Sequence, residues 1–156
     1  WLIHWPPPDA RTSIASWREL LAIRDAGLAR AVGVSNYDTA QLDELIEATG
    51  DAPAVNQVRW GPALHDPARL TEHRTRDVVL EGYSPLKTTN LSDPVLIEIA
   101  EAHQATPGQV VLRWHIDHGI VAIPKSATPS RIRENFDIFG FSLTPDELRR
   151  VDALSE

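Results

Sequence analysis

The feature that most constrains this chain is a recurring pair, a helix-capping residue followed directly by proline. It occurs at Asp66-Pro67, Asp93-Pro94, Thr106-Pro107, Thr128-Pro129 and Thr144-Pro145. The capping side chain accepts from free amides of the first turn, and proline brings a φ already suited to it, so each pair predicts a helix start. Ser16 with Glu19 and Asp38 with Gln41 have capping-box spacing and predict two more starts, with stops at Gly27 and Gly50. Apolar stripes at helical spacing follow the starts, for example Leu42, Leu45 and Ile46, or Val110, Val111 and Trp114. The last start opens a helix from about Pro145 to Leu154.

Between these helices lie short runs rich in β-branched residues, at 2–5, 31–34, 54–58, 78–80 and 120–123. Continuous apolar strands alternating with amphipathic helices make βα units, hence a parallel sheet covered by helices. A doubly wound dinucleotide fold should show G-x-G-x-x-G after its first strand, and that motif does not occur. The expected fold class is therefore α/β, a TIM (β/α)8 barrel, represented by about five βα units plus a C-terminal helix. A complete barrel needs about 250 residues, so the 156 residues correspond to a partial barrel. No linker, low-complexity tract or charge block divides them, and a single domain over 1–156 is expected.

Composition narrows the partners. A net charge of −7 works against general attraction to nucleic acid or anionic lipid, both of which need a surplus of Lys and Arg. There is neither an apolar run long enough for a transmembrane helix nor a signal-peptide pattern, and there are no cysteines. A cytoplasmic protein is expected. Only two lysines are present, Lys87 and Lys125.

In a barrel the site is built from residues at the C-terminal ends of the strands. Here those ends read His4-Trp5, Ser35-Asn36-Tyr37, Gln57, Tyr83-Ser84-Pro85-Leu86 and Lys125-Ser126. After the last strand, Lys125-Ser126 leads into a helix opened by Thr128-Pro129 and carrying Arg131, Glu134 and Asn135. Free amides at a helix start together with Lys and Arg suit a phosphate, against the alternative of a solvated basic turn. His4 stands either as a satisfied strand histidine or as a site residue, and Tyr83 either as a buried ring or as a flat face for an aromatic ligand. Asn56-Gln57 can pair with backbone or with a ligand amide. His115 and His118, three apart, lack a matching carboxylate or His nearby, so no metal site is expected and the pair reads as a solvent-facing helix end; His65, His73 and His103 receive no role.

Taken in order, Leu2-Ile3-His4-Trp5-Pro6, Gly33-Val34-Ser35-Asn36, Val55-Asn56-Gln57, Tyr83-Ser84-Pro85-Leu86, Ile123-Pro124-Lys125-Ser126 and Arg131-Ile132-Arg133-Glu134-Asn135 resemble the aldo-keto reductases. The resemblance covers essentially the whole chain and implies strands four to eight of that barrel. It implies NADPH-dependent reduction of aldehydes or ketones to alcohols, with a small carbonyl compound as substrate. By that resemblance His4 is the active-site histidine that polarises the carbonyl, and Trp5 lies beside the substrate. Ser35, Asn36 and Gln57 correspond to the groups holding the nicotinamide carboxamide, and Tyr83 to the ring stacked on the nicotinamide. Ser84, Pro85 and Leu86 track the pyrophosphate. Lys125, Ser126, Thr128 and Arg131 correspond to contacts with the 2′-phosphate, and Glu134 and Asn135 to contacts with adenine.

The family's Asp, general-acid Tyr and Lys have no counterpart upstream of His4. The 156 residues alone are therefore expected to be inactive, or to serve as a nucleotide-binding or partner-binding module. Lys87 stands where the family often has Gly. Missing N-terminal strands or a second chain are expected to cover the open sheet edges.

Overall fold

The computed structural model describes residues 1–155, and its chain divides into two compact units. The first comprises Trp1–Val58 and Pro67–Leu80. Within it β1 (Leu2–Ile3), β2 (Gly33–Ser35) and β3 (Val55–Arg59, up to Val58) run parallel, with Leu2 opposite Gly33 and Val34 opposite Asn56. Helices α1 (Ala10–Asp25), α2 (Thr39–Thr49) and α3 (Pro67–Thr75) accompany them. Trp17, Leu21, Val32, Val34, Tyr37, Leu42 and Leu45 form the core of this unit. Each large apolar side chain so buried contributes about 2 kcal/mol.

The local signals meet different fates. Asp38 and Gln41 form the expected capping box, and Gly50 closes α2 at φ 78°, which only glycine adopts without strain. Ser16, however, does not start α1. Asp9 does, its carboxylate accepting from the Thr12 amide and hydroxyl at 2.9 Å. Three consecutive prolines, Pro6 to Pro8, hold the preceding chain extended, so the helix begins at the first residue with free amides that a cap can serve. Strand β1 ends at Ile3, which leaves His4 and Trp5 just beyond it rather than within it.

The second unit comprises Arg59–Asp66 and Glu81–Glu156, described up to Ser155. Strand β4 (Val79–Tyr83), from Glu81 onward, runs parallel to β5 (Val121–Ile123), with Gly82 opposite Ala122. β4 extends three residues past the expected 78–80 run. Glu81 and Gly82 have little intrinsic strand character, and their pairing with β5 supplies it. Gly82 is needed there: a Cβ would meet the His115 ring at 3.3 Å.

Four helices belong to this unit: α4 (Pro94–Ala102), α5 (Pro107–Asp117), α6 (Pro129–Phe136) and α7 (Pro145–Asp152). Asp93 caps α4, while Thr106 with Gln109 and Thr144 with Glu147 make capping boxes. Thr128 is the exception, since its side chain makes no cap hydrogen bond. Short 3-10 turns lie at Pro62–Leu64 and Ala153–Ser155. Leu96, Ile99, Val110, Leu112, Trp114, Ile120 and Val151 are buried as the core. Among the described residues, no helix is long and apolar enough to cross a membrane.

Candidate functional site

In the first unit the motif residues gather at the ends of β1, β2 and β3. Ser35 is buried and its hydroxyl donates to the Gln57 carbonyl at 2.7 Å, which binds the tip of β2 to that of β3. Asn36 takes the left-handed conformation at φ 63°. This places its Nδ2 3.1 Å from the His4 carbonyl and 3.0 Å from Ser35 Oγ. Asn tolerates that backbone because its short amide can bond locally. The result is a polar cluster of His4, Ser35, Asn36 and Gln57, with exposed Trp5 beside the His4 ring at 6.1 Å between centroids.

Asn56 turns the other way. It is fully buried, its Nδ2 donates to the Tyr37 carbonyl at 2.9 Å, and its Oδ1 accepts from the Tyr37 amide at 3.4 Å. Of the two candidates at this position, Asn56 thus serves the backbone, while Gln57 is partly exposed. Tyr37 is likewise structural. Its hydroxyl lies 2.8 Å from Ser13 Oγ in the core, and burial raises its pKa, the opposite of what a general acid requires.

In the second unit a cleft of about 490 Å3 is lined by Leu86, Lys125, Ser126, Arg131, Glu134 and Asn135, along with Leu91 and the start of α5. Lys125 and Arg131, expected to share one anion, therefore face the same space. Both are exposed, and among the described residues neither forms an ion pair. Two unneutralised cations converging in one cleft of a chain with net charge −7 favour an anionic ligand. Thr128 does not line this cleft. Its amide donates to Ser126 Oγ at 3.1 Å, a turn that leads into α6.

The Tyr83–Leu86 segment is shaped by Ser84, which is left-handed at φ 56°. The Lys87 amide donates to the Ser84 carbonyl at 3.0 Å, so the turn closes with the positive φ at Ser84 and no glycine at 87. Two of the unusual backbone conformations, at Asn36 and Ser84, thus fall on motif residues, as strain at functional sites does.

Two relationships were invisible in the sequence. The Thr106 hydroxyl donates to the Glu134 carboxylate at 2.7 Å, and Gln109 Nε2 donates to the carbonyls of Glu134 and Asp137. These bonds anchor α6 onto α5 and hold one wall of the cleft. His118, which the spacing pairs with His115, is instead joined by His65 and Asp152, all three offering ligand atoms within 4.8 Å of one another. Against the expected solvent-facing helix end, His115 is fully buried and apart, its Nδ1 2.7 Å from the Val111 carbonyl. No local pattern links residues so far apart in the chain.

The family model for the aldo/keto reductases matches residues 1–156. The chain belongs to the aldo/keto reductase family. It is 45% identical over 156 residues to 2,5-diketo-D-gluconic acid reductase B of a Corynebacterium species, and 39% identical over 157 residues to the methylglyoxal reductase DkgA of Yersinia pestis. These alignments take in 99% of this chain but only 55% and 57% of the relatives, so the chain spans little more than half their length. An aldo/keto reductase from Brucella melitensis superposes with a TM-score of 0.93 at 40% identity, covering 98% of this chain and 59% of that one. A mutant of Gox0644 in complex with NADPH gives 0.93 at 37% identity, covering 98% and 57%. This aldo/keto reductase chain therefore has the (β/α)8 barrel fold in part, as its βα alternation and its lack of a dinucleotide fingerprint predict.

Proposed function

We propose that this chain supplies the cofactor-binding portion of an NADPH-dependent carbonyl reductase acting on small aldehydes or ketones. The observation that carries the reading is the convergence of Lys125 and Arg131 on one cleft with Ser126, Glu134 and Asn135. Lys125 and Arg131 hold the 2′-phosphate, one as a point charge and one as a fork, which favours NADPH over NADH. Ser126 and Thr128 assist them, Glu134 and Asn135 meet the adenine, and Ser84, Pro85 and Leu86 follow the pyrophosphate. Ser35, Asn36 and Gln57 orient the carboxamide, and Tyr83 stacks on the ring. The bound nucleotide supplies the hydride. His4 donates a hydrogen bond to the substrate carbonyl and Trp5 packs beside it. The similarity to enzymes named for methylglyoxal and diketogluconate suggests small, oxygen-rich carbonyl substrates.

No general acid tuned for this chemistry stands among the described residues near His4. Tyr37 is committed to Ser13 in the core. Without such an acid, orders of magnitude in rate are lost. We therefore read the 156 residues alone as binding the nucleotide without turning it over. The family match runs unbroken through both units, which supports reading them as one domain. The test compares the 156-residue chain with a polypeptide carrying the family's N-terminal barrel units as well. The longer protein should oxidise NADPH with methylglyoxal, and the shorter should bind NADPH without oxidising it. Absence of turnover by the longer protein across a broad panel of aldehydes and ketones would refute the reductase reading.

A further inference from the structure

We infer that His65, His118 and Asp152 form a binding site for one divalent transition-metal ion of the zinc class, remote in function from the cofactor residues. His65 caps the 3-10 turn at Pro62–Leu64, His118 caps α5, and Asp152 ends α7, so the three come from separate elements of the second unit. One ligand atom from each lies within 4.8 Å of the others. Two imidazoles and one carboxylate suit zinc, with water completing a tetrahedron.

His65 is the decisive member. Its side chain is 8% exposed, its Nε2 lies 3.7 Å from Asp152 Oδ1, too far for a hydrogen bond, and its buried Nδ1 has no partner among the described residues. His73 and His115 differ at Nδ1, which lies within 2.8 Å of a helix carbonyl in each, although His115 Nε2 is likewise buried without a hydrogen bond among the described residues. Coordination at Nε2 replaces the long 3.7 Å contact with Asp152 by a strong interaction of the His65 ring.

The surroundings are organised for this. Trp114 packs edge-on against His65 at 5.3 Å and fixes its plane. The Trp114 Nε1–H also donates to Asp152 Oδ1 at 2.7 Å, the outer hydrogen bond that orients a ligating carboxylate. His118 Nε2 sits 2.8 Å from the same oxygen. Coordination needs the lone pair on that nitrogen, so the hydrogen shared there moves to Nδ1 or to solvent. Once bound, the ion ties the C-terminal helix to α5 and stabilises the folded chain by mass action.

Calorimetric titration of the full chain with zinc chloride at neutral pH should show one ion per chain and a rise in Tm. His65→Phe keeps the ring packing and His118→Gln keeps a donor to Asp152. Each should weaken binding by at least roughly tenfold, the loss that even outer partners cause, and abolish the rise in Tm. Unchanged affinity in both folded variants, or no stoichiometric binding, overturns the site. Should a variant fail to fold, nitrogen-15 spectra of the six histidines in the unmodified chain decide. Zinc must shift two rings at Nε2, and shifts confined to exposed histidines such as His4 overturn it equally.

Discussion

Asn56 Nδ2 lies 3.0 Å from His73 Nε2, with both side chains fully buried in the first unit. The amide also donates to the Tyr37 carbonyl, so it faces His73 as a donor and the imidazole must accept. Nδ1 then carries the hydrogen and donates it to the Arg69 carbonyl at 2.8 Å. Strand β3, the chain after β2 and helix α3 are thereby joined through one neutral ring. Replacing Asn56 with Ala leaves the Tyr37 carbonyl and the His73 nitrogen without this partner. The expected cost is about 2–3 kcal/mol, read as a lower urea midpoint at unchanged m.

The same ring makes the fold sensitive to acid. Burial lowers the pKa of His73, and burial also pushes His115 down from 6.5 to about 4. The unfolded chain therefore takes up protons that the folded chain refuses. Stability is full above pH 6.5 and is lost as pH falls from 6.5 towards 4. His115 alone accounts for roughly 3 kcal/mol over that window. Urea midpoints should decline across it, and His115→Gln should flatten the decline relative to its own neutral value. A midpoint independent of pH in this window would contradict the assignment.

Gly33 lies between β1 and β3, where an added Cβ would stand 2.5 Å from the Val55 carbonyl oxygen and 2.7 Å from its Cγ1. Neither the strand backbone nor the β-branched side chain can yield freely. Gly33→Ala should destabilise by about 1–3 kcal/mol, measured by thermal or urea unfolding. Gly140→Ala, where a Cβ meets nothing within 4 Å, is the control and should change little.

The charge of Lys125 and Arg131 bears on nucleotide choice. In the longer protein, replacing either with Ala should weaken NADPH binding by about 2 kcal/mol, or roughly thirtyfold, the range for hydrogen bonds to charged groups. NADH binding should hardly change. Fluorescence titration with the two nucleotides measures both, and equal losses for the two would place the 2′-phosphate elsewhere.

Among the described residues, strand β1 pairs with β2 alone and exposes Trp1 and Leu2, while β5 pairs with β4 alone and exposes Val121 and Ile123. Beside β5 an apolar cleft of about 490 Å3 includes Phe136, which is 75% exposed. Such edges recruit further strands. The 156-residue chain should associate with itself as concentration rises, in sedimentation velocity, and added N-terminal barrel units should suppress that association. A monomer at all concentrations would argue against this.

Much of the architecture was written locally. Capping pairs such as Thr106-Pro107 and Thr144-Pro145 act within one helical turn, so residue type and spacing specify them wherever the turn sits. The βα alternation and the ordered motifs carried the barrel class, the family and the approach of Lys125 to Arg131. Ser16 failed as a helix start because a capping box is permissive. The proline run before Asp9 decided where the helix began, and Asp9 lacks the Glu or Gln that would have marked it.

The remaining features depend on partners distant in the chain. Glu81 and Gly82 become strand because β5 lies alongside, and Asn56 differs from Gln57 because His73 and Tyr37 enclose it. Thr106 meets Glu134 across 28 positions, and Asp152 meets His118 across 34. Turn-scale geometry is a property of neighbouring residues and is therefore readable in order. Which buried polar group finds which partner is settled only when packing removes water, and that choice belongs to the tertiary structure.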